Sequence, residues 1–162
     1  MEGRILNQVE IMGVLKVEFG RARRYDFPLS CLLVQVDRFQ HLGDLYGMDV
    51  ADSIARNVMN LILENTRLSD FLGKMGDRFL LVVPHTDRKG ALAIAKRFRE
   101  KLAGMEFEVS GKKINITLSM GIADNSEEDS IFYDSLLRKA EASLAKVVRD
   151  GGDGVEVYAA ES

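Results

Sequence analysis

The stretch from Phe71 to Pro84 limits the possible folds of this chain more than any other part of the sequence. Two short, mainly apolar segments, residues 71–75 and 79–83, flank the dipeptide Gly76-Asp77. Glycine accepts the positive φ that a two-residue turn needs, so a Gly-Asp pair between two such runs predicts a β-hairpin. The chain is therefore expected to contain a sheet with at least one antiparallel strand pair.

A separate apolar run, residues 29–36, is nearly continuous and is bounded by Pro28 and Asp37. Such a run is typical of a central strand buried on both faces. Helices are predicted over residues 4–24, 49–65, from Thr86 or Asp87 to residue 103, and 130–149. Further strands are predicted over residues 107–109, 114–122 and 155–158, and a short helical turn and a loop at 45–48 follow the central strand. This order predicts an α/β (α+β) fold in which helices flank a central mixed, mainly antiparallel sheet.

Length and charge narrow the functional classes. A chain of 162 residues with 46% hydrophobic residues suits one folded domain, and the amphipathic N-terminal helix can pack on that domain or on a second copy. The net charge is −3, with acidic and basic residues interspersed. No broad basic surface is therefore expected to attract nucleic acid or an anionic membrane, and an anionic ligand would need a local cluster of bases.

The sequence gives no sign of a membrane segment, a disulfide or a metal site. No apolar run is long enough to span a bilayer and the N-terminal residues lack a signal-peptide core, so we expect a cytoplasmic protein. Cys31 is the only cysteine and lies in an apolar run, which indicates a small core residue. His41 and His85 lack partners at zinc-site spacing, so both are interpreted as surface histidines.

Several stretches, taken in order, carry a resemblance to a known family. They are Val36-Asp37-Arg38-Phe39, Asp44-Leu45-Tyr46-Gly47 with Asp52, Ser69-Asp70 with Gly76-Asp77 and Phe79, and residues 116–123. At this spacing they resemble the GGDEF domain of diguanylate cyclases, enzymes that join two GTP molecules into cyclic di-GMP. The resemblance covers nearly the whole chain and implies the palm-like fold of nucleotidyl cyclases. It divides the chain into an N-terminal helix and lead-in, residues 1–28, and a degenerate GGDEF domain, residues 29–162.

The chain departs from the catalytic pattern of the family that it resembles. The first Asp of the family's DxD motif is replaced by Gln35 here, whereas Asp37 occupies the second Asp position. The Glu of GGDEF is replaced by Arg78. Mg²⁺ prefers anionic oxygen ligands, so a neutral amide binds it poorly and a guanidinium repels it. We therefore expect no catalytic residues, no metal and no cyclase activity, unless Asp37 and Asp77 together rebuild a metal site.

Other positions of the family's GTP site also differ. The interval from Asp70 to Phe79 is one residue short, so one glycine is missing around Gly76-Asp77 or is replaced by Met75. The family's guanine-reading Asn falls on Gly43, its partner acid is Asp52, its His falls on Met48, and its phosphate-binding Lys and Arg fall on Val148 and Gly152. A lone Asp52 in a first helical turn equally suits the helix dipole. Gly151-Gly152-Asp153 joins a helix to the last strand and is not the signature hairpin.

The resemblance implies that a second site of the family is better kept. Many members bind cyclic di-GMP at an inhibitory site with an RxxD motif just before the signature, and Arg67-Leu68-Ser69-Asp70 occupies that place. The family's further Arg, in the helix after the hairpin, falls on Arg97. An arginine fork can pair with a phosphate or a guanine edge, and an aspartate can accept from guanine N–H groups. The implied function is an inactive domain that binds cyclic di-GMP at Arg67, Asp70 and Arg97, uses no other cofactor and signals to a protein partner.

Structural explanations of the same residues remain open. Arg67 suits the end of a helix, Asp70 the start of a strand, and Arg97 a solvated helix face. Arg78 can form a salt bridge with Asp77 or another neighbour, or can hold a phosphate of GTP without turnover. The alternative function is an interaction scaffold that binds no nucleotide and uses its fold, with the N-terminal helix, to form a homodimer or to dock on a partner.

Overall fold

The computed structural model describes residues 5–126 and 132–159 of the chain. These residues form a six-stranded sheet, a separate two-stranded sheet and five helices. In chain order the elements are β1 (Ile5–Leu6), α1 (Gln8–Tyr25), β2 (Leu29–Val36), α2 (Phe39–Tyr46), α3 (Met48–Glu64), β3 (Phe71–Met75), β4 (Arg78–Pro84), α4 (Arg88–Ala103), β5 (Phe107–Val109), β6 (Lys112–Ile114), β7 (Leu118–Asp124), α5 (Tyr133–Arg149) and β8 (Gly154–Val157).

The larger sheet has the strand order β1-β3-β4-β2-β7-β8. Its three inner pairings are antiparallel, whereas β1 runs parallel to β3 and β8 runs parallel to β7. The predicted mixed, mainly antiparallel sheet with flanking helices is confirmed.

The two strongest strand predictions are also confirmed. β2 lies in the middle of the sheet, and all of its residues except Gln35 are buried. β3 and β4 form the hairpin, with Met75 opposite Arg78 and Gly76-Asp77 as its turn. Gly76 has a φ of 66°, in the left-handed region that glycine adopts at little cost.

Helices cover both faces of the larger sheet. On one face, α1 and α5 pack through Ile11, Leu15, Leu136 and Leu144 against the β2 and β4 residues Leu33, Leu80 and Val82. On the other face, α3 and α4 pack through Ile54, Val58 and Phe98 against Leu32, Val34 and Leu81. Helix α1 therefore packs on its own domain, which is one of the two placements that the sequence left open.

The N-terminal segment was predicted as one helix over residues 4–24, and this prediction was wrong at its start. Ile5 and Leu6 form β1 beside β3, and α1 begins only at Gln8. The Asn7 side chain accepts from the Glu10 backbone N–H at 2.8 Å, while the Glu10 carboxylate accepts from the Asn7 backbone N–H at 3.0 Å. This capping box satisfies the first free amides of α1 and sets its start.

The strand predicted over residues 114–122 is two strands in the structure. β6 ends at Ile114 and pairs with β5 across the predicted Ser110-Gly111 turn. β7 begins only at Leu118 and pairs with β2 in the larger sheet. The prediction failed because the run of apolar residues does not record that the chain passes from one sheet to the other at residues 115–117.

Two helix boundaries also differ from their predictions. The loop predicted at 45–48 is reduced to Gly47, which has a φ of 93° and joins the end of α2 to the start of α3. The last helix begins at Tyr133, and its predicted first residue, Ser130, lies outside the described residues.

Candidate functional site

Arg67, Asp70 and Arg97 line one cavity of about 480 Å³, which we call the arginine cavity. Arg67 and Asp70 lie on the connection from α3 to β3, and Arg97 lies in α4. His85 and Thr86, on the connection from β4 to α4, form a further part of the wall. The fold thus brings Arg97 to the two residues of the RxxD motif.

Arg67 is fixed by hydrogen bonds from one end of its guanidinium. Nη2 donates to Asp70 Oδ1 at 3.1 Å, to the Pro84 carbonyl at 2.9 Å and to Thr86 Oγ1 at 2.6 Å. The backbone N–H of Arg67 also donates to Asp70 Oδ2 at 2.9 Å. The Arg67 side chain is 53% exposed, whereas that of Asp70 is only 1% exposed. The buried Asp70 therefore orients Arg67 from the protein interior, and the other nitrogens of the Arg67 guanidinium face the cavity.

Thr86 is a site residue that sequence reasoning missed. The sequence left Thr86 and Asp87 as equal candidates for the cap of α4, and in the structure Asp87 is the cap, accepting from the Gly90 backbone N–H at 2.8 Å. Thr86 is buried, accepts from Arg67 and donates to the Pro84 carbonyl at 3.1 Å. No local pattern could have identified this role, because the partner of Thr86 lies on a different connection.

Arg97 and His85 are two further exposed residues of the arginine cavity. Among the described residues, Arg97 has no hydrogen-bond or ion-pair partner. His85 has a φ of 55°, and its ring stacks on Phe27 with the centroids 4.0 Å apart. His41 and His85 are both exposed, which confirms their interpretation as surface histidines.

The hairpin tip lies away from the arginine cavity. Arg78 begins β4, and Pro84, whose carbonyl accepts from Arg67, ends it. At about 3.3 Å per residue, the two ends of this strand are roughly 20 Å apart. Arg78 lies opposite Gln35 in the sheet and its Nη2 is 3.6 Å from Glu141 Oε2 on α5. The salt bridge suggested for Arg78 is thus present, and its partner is Glu141 and not Asp77.

The carboxylate of Asp37 is occupied by hydrogen bonds from three other residues. It accepts from Ser119 Oγ at 2.6 Å, from Thr117 Oγ1 at 2.6 Å and from the backbone N–H of Asp153 at 2.9 Å. Gly152 packs against the same carboxylate, because a Cβ placed on Gly152 would lie 3.1 Å from its atoms. Gly151-Gly152-Asp153 joins α5 to β8, as predicted, and holds Asp37.

Gly43 and Met48, two positions that differ from the family pattern, contact each other. Gly43 is buried on α2, and a Cβ there would lie 2.6 Å from the Met48 sulfur at the start of α3. The methionine therefore fills the space next to Gly43. Asp52 is exposed and lies in the second turn of α3, while the acid of the first turn is Asp49. The placement of Asp52 in a first helical turn was therefore wrong, because the helix starts at Met48.

Cys31 behaves as the core residue that the sequence predicted. It is fully buried, and burial raises the pKa of its thiol to about 12, so it stays protonated at neutral pH.

Within residues 5–126 and 132–159, no group of three or more His, Cys, Asp or Glu side chains is placed to hold a metal ion. The helices of the described part of the chain also include none with the length and apolar character to cross a membrane.

Comparison with known proteins identifies the family. Residues 3–153 match the family described as "Diguanylate cyclase, GGDEF domain". The chain is 30% identical over 160 residues to diguanylate cyclase DosC of Escherichia coli K12, which covers 97% of this chain and 34% of DosC. It thus spans about a third of the length of such curated relatives.

Solved structures share the fold. An active GGEEF domain of a diguanylate cyclase from Vibrio cholerae superposes with a TM-score of 0.90 at 23% identity, covering 98% of this chain and 100% of that one. The GGDEF domain of DgcB from Caulobacter crescentus, solved in complex with c-di-GMP, gives 0.89 at 18% identity, covering 96% and 92% of the two chains. Because the family's sequence pattern matches residues 3–153, this chain belongs to the GGDEF domain family.

Proposed function

We propose that this domain is a catalytically inactive GGDEF domain that binds cyclic di-GMP in the arginine cavity and relays the bound state to a protein partner. The observation that carries the proposal is that Arg67 and Arg97 reach one cavity from two separate elements. Two guanidinium groups at one cavity suit a ligand with two phosphates and two guanine bases. The net charge of the chain is −3, so such attraction has to be local.

The hydrogen bonds of Arg67 leave donors for a ligand. All three side-chain bonds of Arg67 come from Nη2, so Nη1 and Nε can donate to a phosphate or to a guanine edge. The buried Asp70 carboxylate holds the fork in place, which reduces the side-chain entropy that Arg67 loses on binding. In this arrangement Arg67 and Arg97 contact the ligand, and Asp70 positions Arg67.

The residues at and around the hairpin tip do not fit the divalent metal that diguanylate cyclases need. Gln35 offers a neutral amide, and Arg78, which lies opposite it, brings a positive charge. Asp37 already accepts three hydrogen bonds, so coordination of a metal would have to displace them. Met48 also fills the space beside Gly43, the position of the family's guanine-reading Asn. We therefore derive no catalytic step for this chain.

Isothermal titration with cyclic di-GMP tests the proposed site. We expect saturable binding by the wild-type domain, and an affinity about ten- to hundredfold weaker for Arg97→Ala, because a hydrogen bond to a charged group contributes about 1.5–3 kcal/mol. Arg67→Ala should weaken the affinity for cyclic di-GMP by the same factor or more. The matched control is Arg99→Ala on the same helix, since Arg99 donates to Asp153 and does not line the cavity.

Wild-type affinity in Arg97→Ala and Arg67→Ala, or no binding by the wild-type domain, would contradict the receptor proposal. Loss of enzymatic activity is tested separately by incubation with GTP and Mg²⁺ or Mn²⁺ at high protein concentration. Steady accumulation of cyclic di-GMP would overturn the proposal that the domain is catalytically inactive.

One observation favours the second candidate, an interaction scaffold that binds no nucleotide. Arg67 and Asp70 already hydrogen-bond to each other, and Arg67 also hydrogen-bonds to the carbonyl at the end of β4. The pair therefore has a structural role without any ligand. An isothermal titration that shows no heat of binding, together with an unchanged melting temperature in excess cyclic di-GMP, would support the scaffold.

A further inference from the structure

His85 lines the arginine cavity and has an unusual backbone conformation. Its φ of 55° lies in the left-handed region, which few residues other than glycine adopt. Histidine adopts this region more often than most residues do, but glycine adopts it at a lower cost. Backbone conformations of this kind are concentrated at functional sites. The side chain at position 85 is therefore a candidate for a role that glycine could not fill.

The imidazole ring of His85 is supported from one side. It stacks on the ring of Phe27, with the centroids 4.0 Å apart and the two planes at 28° to each other. Phe27 is partly buried and does not line the arginine cavity, whereas His85 is exposed and does line it. Phe27 therefore lies behind the imidazole, which meets the cavity through its other face and its edge.

The neighbours of His85 in the chain place its ring beside Arg67. Arg67 Nη2 donates to the Pro84 carbonyl at 2.9 Å and to Thr86 Oγ1 at 2.6 Å. These two acceptors belong to the residues directly before and after His85. The backbone N–H of Thr86 also donates to the Pro28 carbonyl at 3.1 Å. The hydrogen bonds that fix Arg67 therefore also fix the backbone on both sides of His85.

One face of α4 forms a further wall of the cavity. The residues of this face that line the cavity share helical spacing, and they are Gly90, Ala93, Ile94 and Arg97. The wall is about 10 Å long from its first to its last residue. Ala93 and Ile94 are apolar and lie between Arg97 and the N-terminal end of α4, which the connection with His85 joins. The cavity thus has an apolar wall between an aromatic ring and a guanidinium.

This arrangement matches the two chemical parts of a nucleotide. A purine base has apolar faces and a polar edge, and unpaired bases stack on aromatic side chains, histidine included. A phosphate instead requires cationic donors, which Arg67 and Arg97 provide. The ring of His85 and the apolar wall therefore suit a base, whereas the two guanidinium groups suit a phosphate.

We propose that His85 is the base-stacking residue of the arginine cavity. A guanine of cyclic di-GMP lies with one face on the imidazole, whose other face rests on Phe27, and the edge of the base approaches the remaining donors of Arg67. This inference rests on the proposed function, because it states how the same cavity holds a base.

Isothermal titration of the full 162-residue chain with cyclic di-GMP tests the role of the ring. His85→Gly removes the ring, and this variant should fold because glycine readily adopts the observed φ. Its affinity should fall about five- to hundredfold, which is the usual contribution of one base stacked on an aromatic side chain. His85→Phe keeps a stacking ring without the imidazole nitrogens and should stay within about threefold of the wild type. His41→Ala is the matched control, since His41 is exposed on α2 and does not line the cavity.

Proton NMR provides a readout that a purely structural role of His85 would not change. The chain has 2 histidines, so comparison with His85→Gly assigns both imidazole Hε1 resonances. Saturating cyclic di-GMP should shift the His85 resonance upfield, because a stacked guanine places its ring current over the imidazole. The His41 resonance should not move.

Three outcomes would overturn the stacking role of His85 and leave the receptor proposal intact. The first is wild-type affinity in His85→Gly while Arg97→Ala weakens binding. The second is a His85 resonance that does not move at saturation, which decides the matter even where His85→Phe fails to fold. The third is equal weakening in His85→Gly and a folded His85→Phe, which would assign His85 to a polar contact with the ligand. Absence of binding by the wild-type domain would overturn both proposals.

Discussion

The carboxylate of Asp37 connects three segments of the molecule, because its hydrogen-bond donors are Thr117, Ser119 and the backbone of Asp153. Asp37→Asn should lower the free energy of unfolding by about 1–3 kcal/mol, because the amide cannot accept from all three donors. Urea denaturation measures this difference. Asp52→Asn is the control and should leave stability within about 0.5 kcal/mol, since Asp52 is exposed.

The opposite outcome for Asp37 has a clear meaning. Asp37→Asn with wild-type stability, together with a wild-type melting temperature that rises on addition of Mg²⁺, would show that Asp37 serves a metal. Sequence reasoning identified Asp37 from its motif but could not find its partners, which lie at least 80 positions away along the chain.

At the level of elements, the approach of α5 to the sheet depends on Gly121 in β7. A Cβ on Gly121 would lie 2.1 Å from the Ala140 carbonyl oxygen and 2.5 Å from the Leu144 backbone nitrogen. Gly121→Ala should therefore push α5 outward and lower the free energy of unfolding by about 3 kcal/mol, because backbone atoms cannot move aside as a side chain can. Equilibrium urea unfolding tests this expectation. Gly20→Ala on α1 is the control, since its Cβ would meet no atom within 4 Å.

A stability of Gly121→Ala within about 0.5 kcal/mol of the wild type would show that α5 is not packed this closely. The sequence predicted the existence of α5 and β7 from their apolar spacing. It could not predict their contact at Gly121, because a small residue in an apolar strand looks the same whether or not a helix lies over it.

At the level of the whole molecule, the arginine cavity joins separate parts of the fold: Arg67 and Asp70 lie between α3 and β3, Thr86 lies between β4 and α4, and Arg97 lies on α4. A ligand held there stabilises the folded state as a whole. Cyclic di-GMP at about 100 times its dissociation constant should therefore raise the free energy of unfolding by about 2.7 kcal/mol. Urea denaturation with and without cyclic di-GMP measures this difference.

Arg97→Ala should reduce this stabilisation at the same ligand concentration, whereas Arg99→Ala should retain it. An unchanged free energy of unfolding in the wild type would mean that cyclic di-GMP does not bind the folded domain. This prediction could not come from the sequence, in which the cavity does not exist as a pattern: its walls include the connection from α3 to β3, the connection from β4 to α4, and α4.

The sequence alone determined the hairpin at Gly76-Asp77, the buried central strand, the helical segments and the GGDEF resemblance, because these depend on local spacing and on short motifs. It also identified Arg67, Asp70 and Arg97 as candidates. Only the tertiary structure decided that these three residues share a cavity, that Thr86 fixes Arg67, and that Arg78 pairs with Glu141. The reason is physical: spacing records which face of a helix or strand is apolar, whereas a partner across the fold depends on how helices and strands pack together.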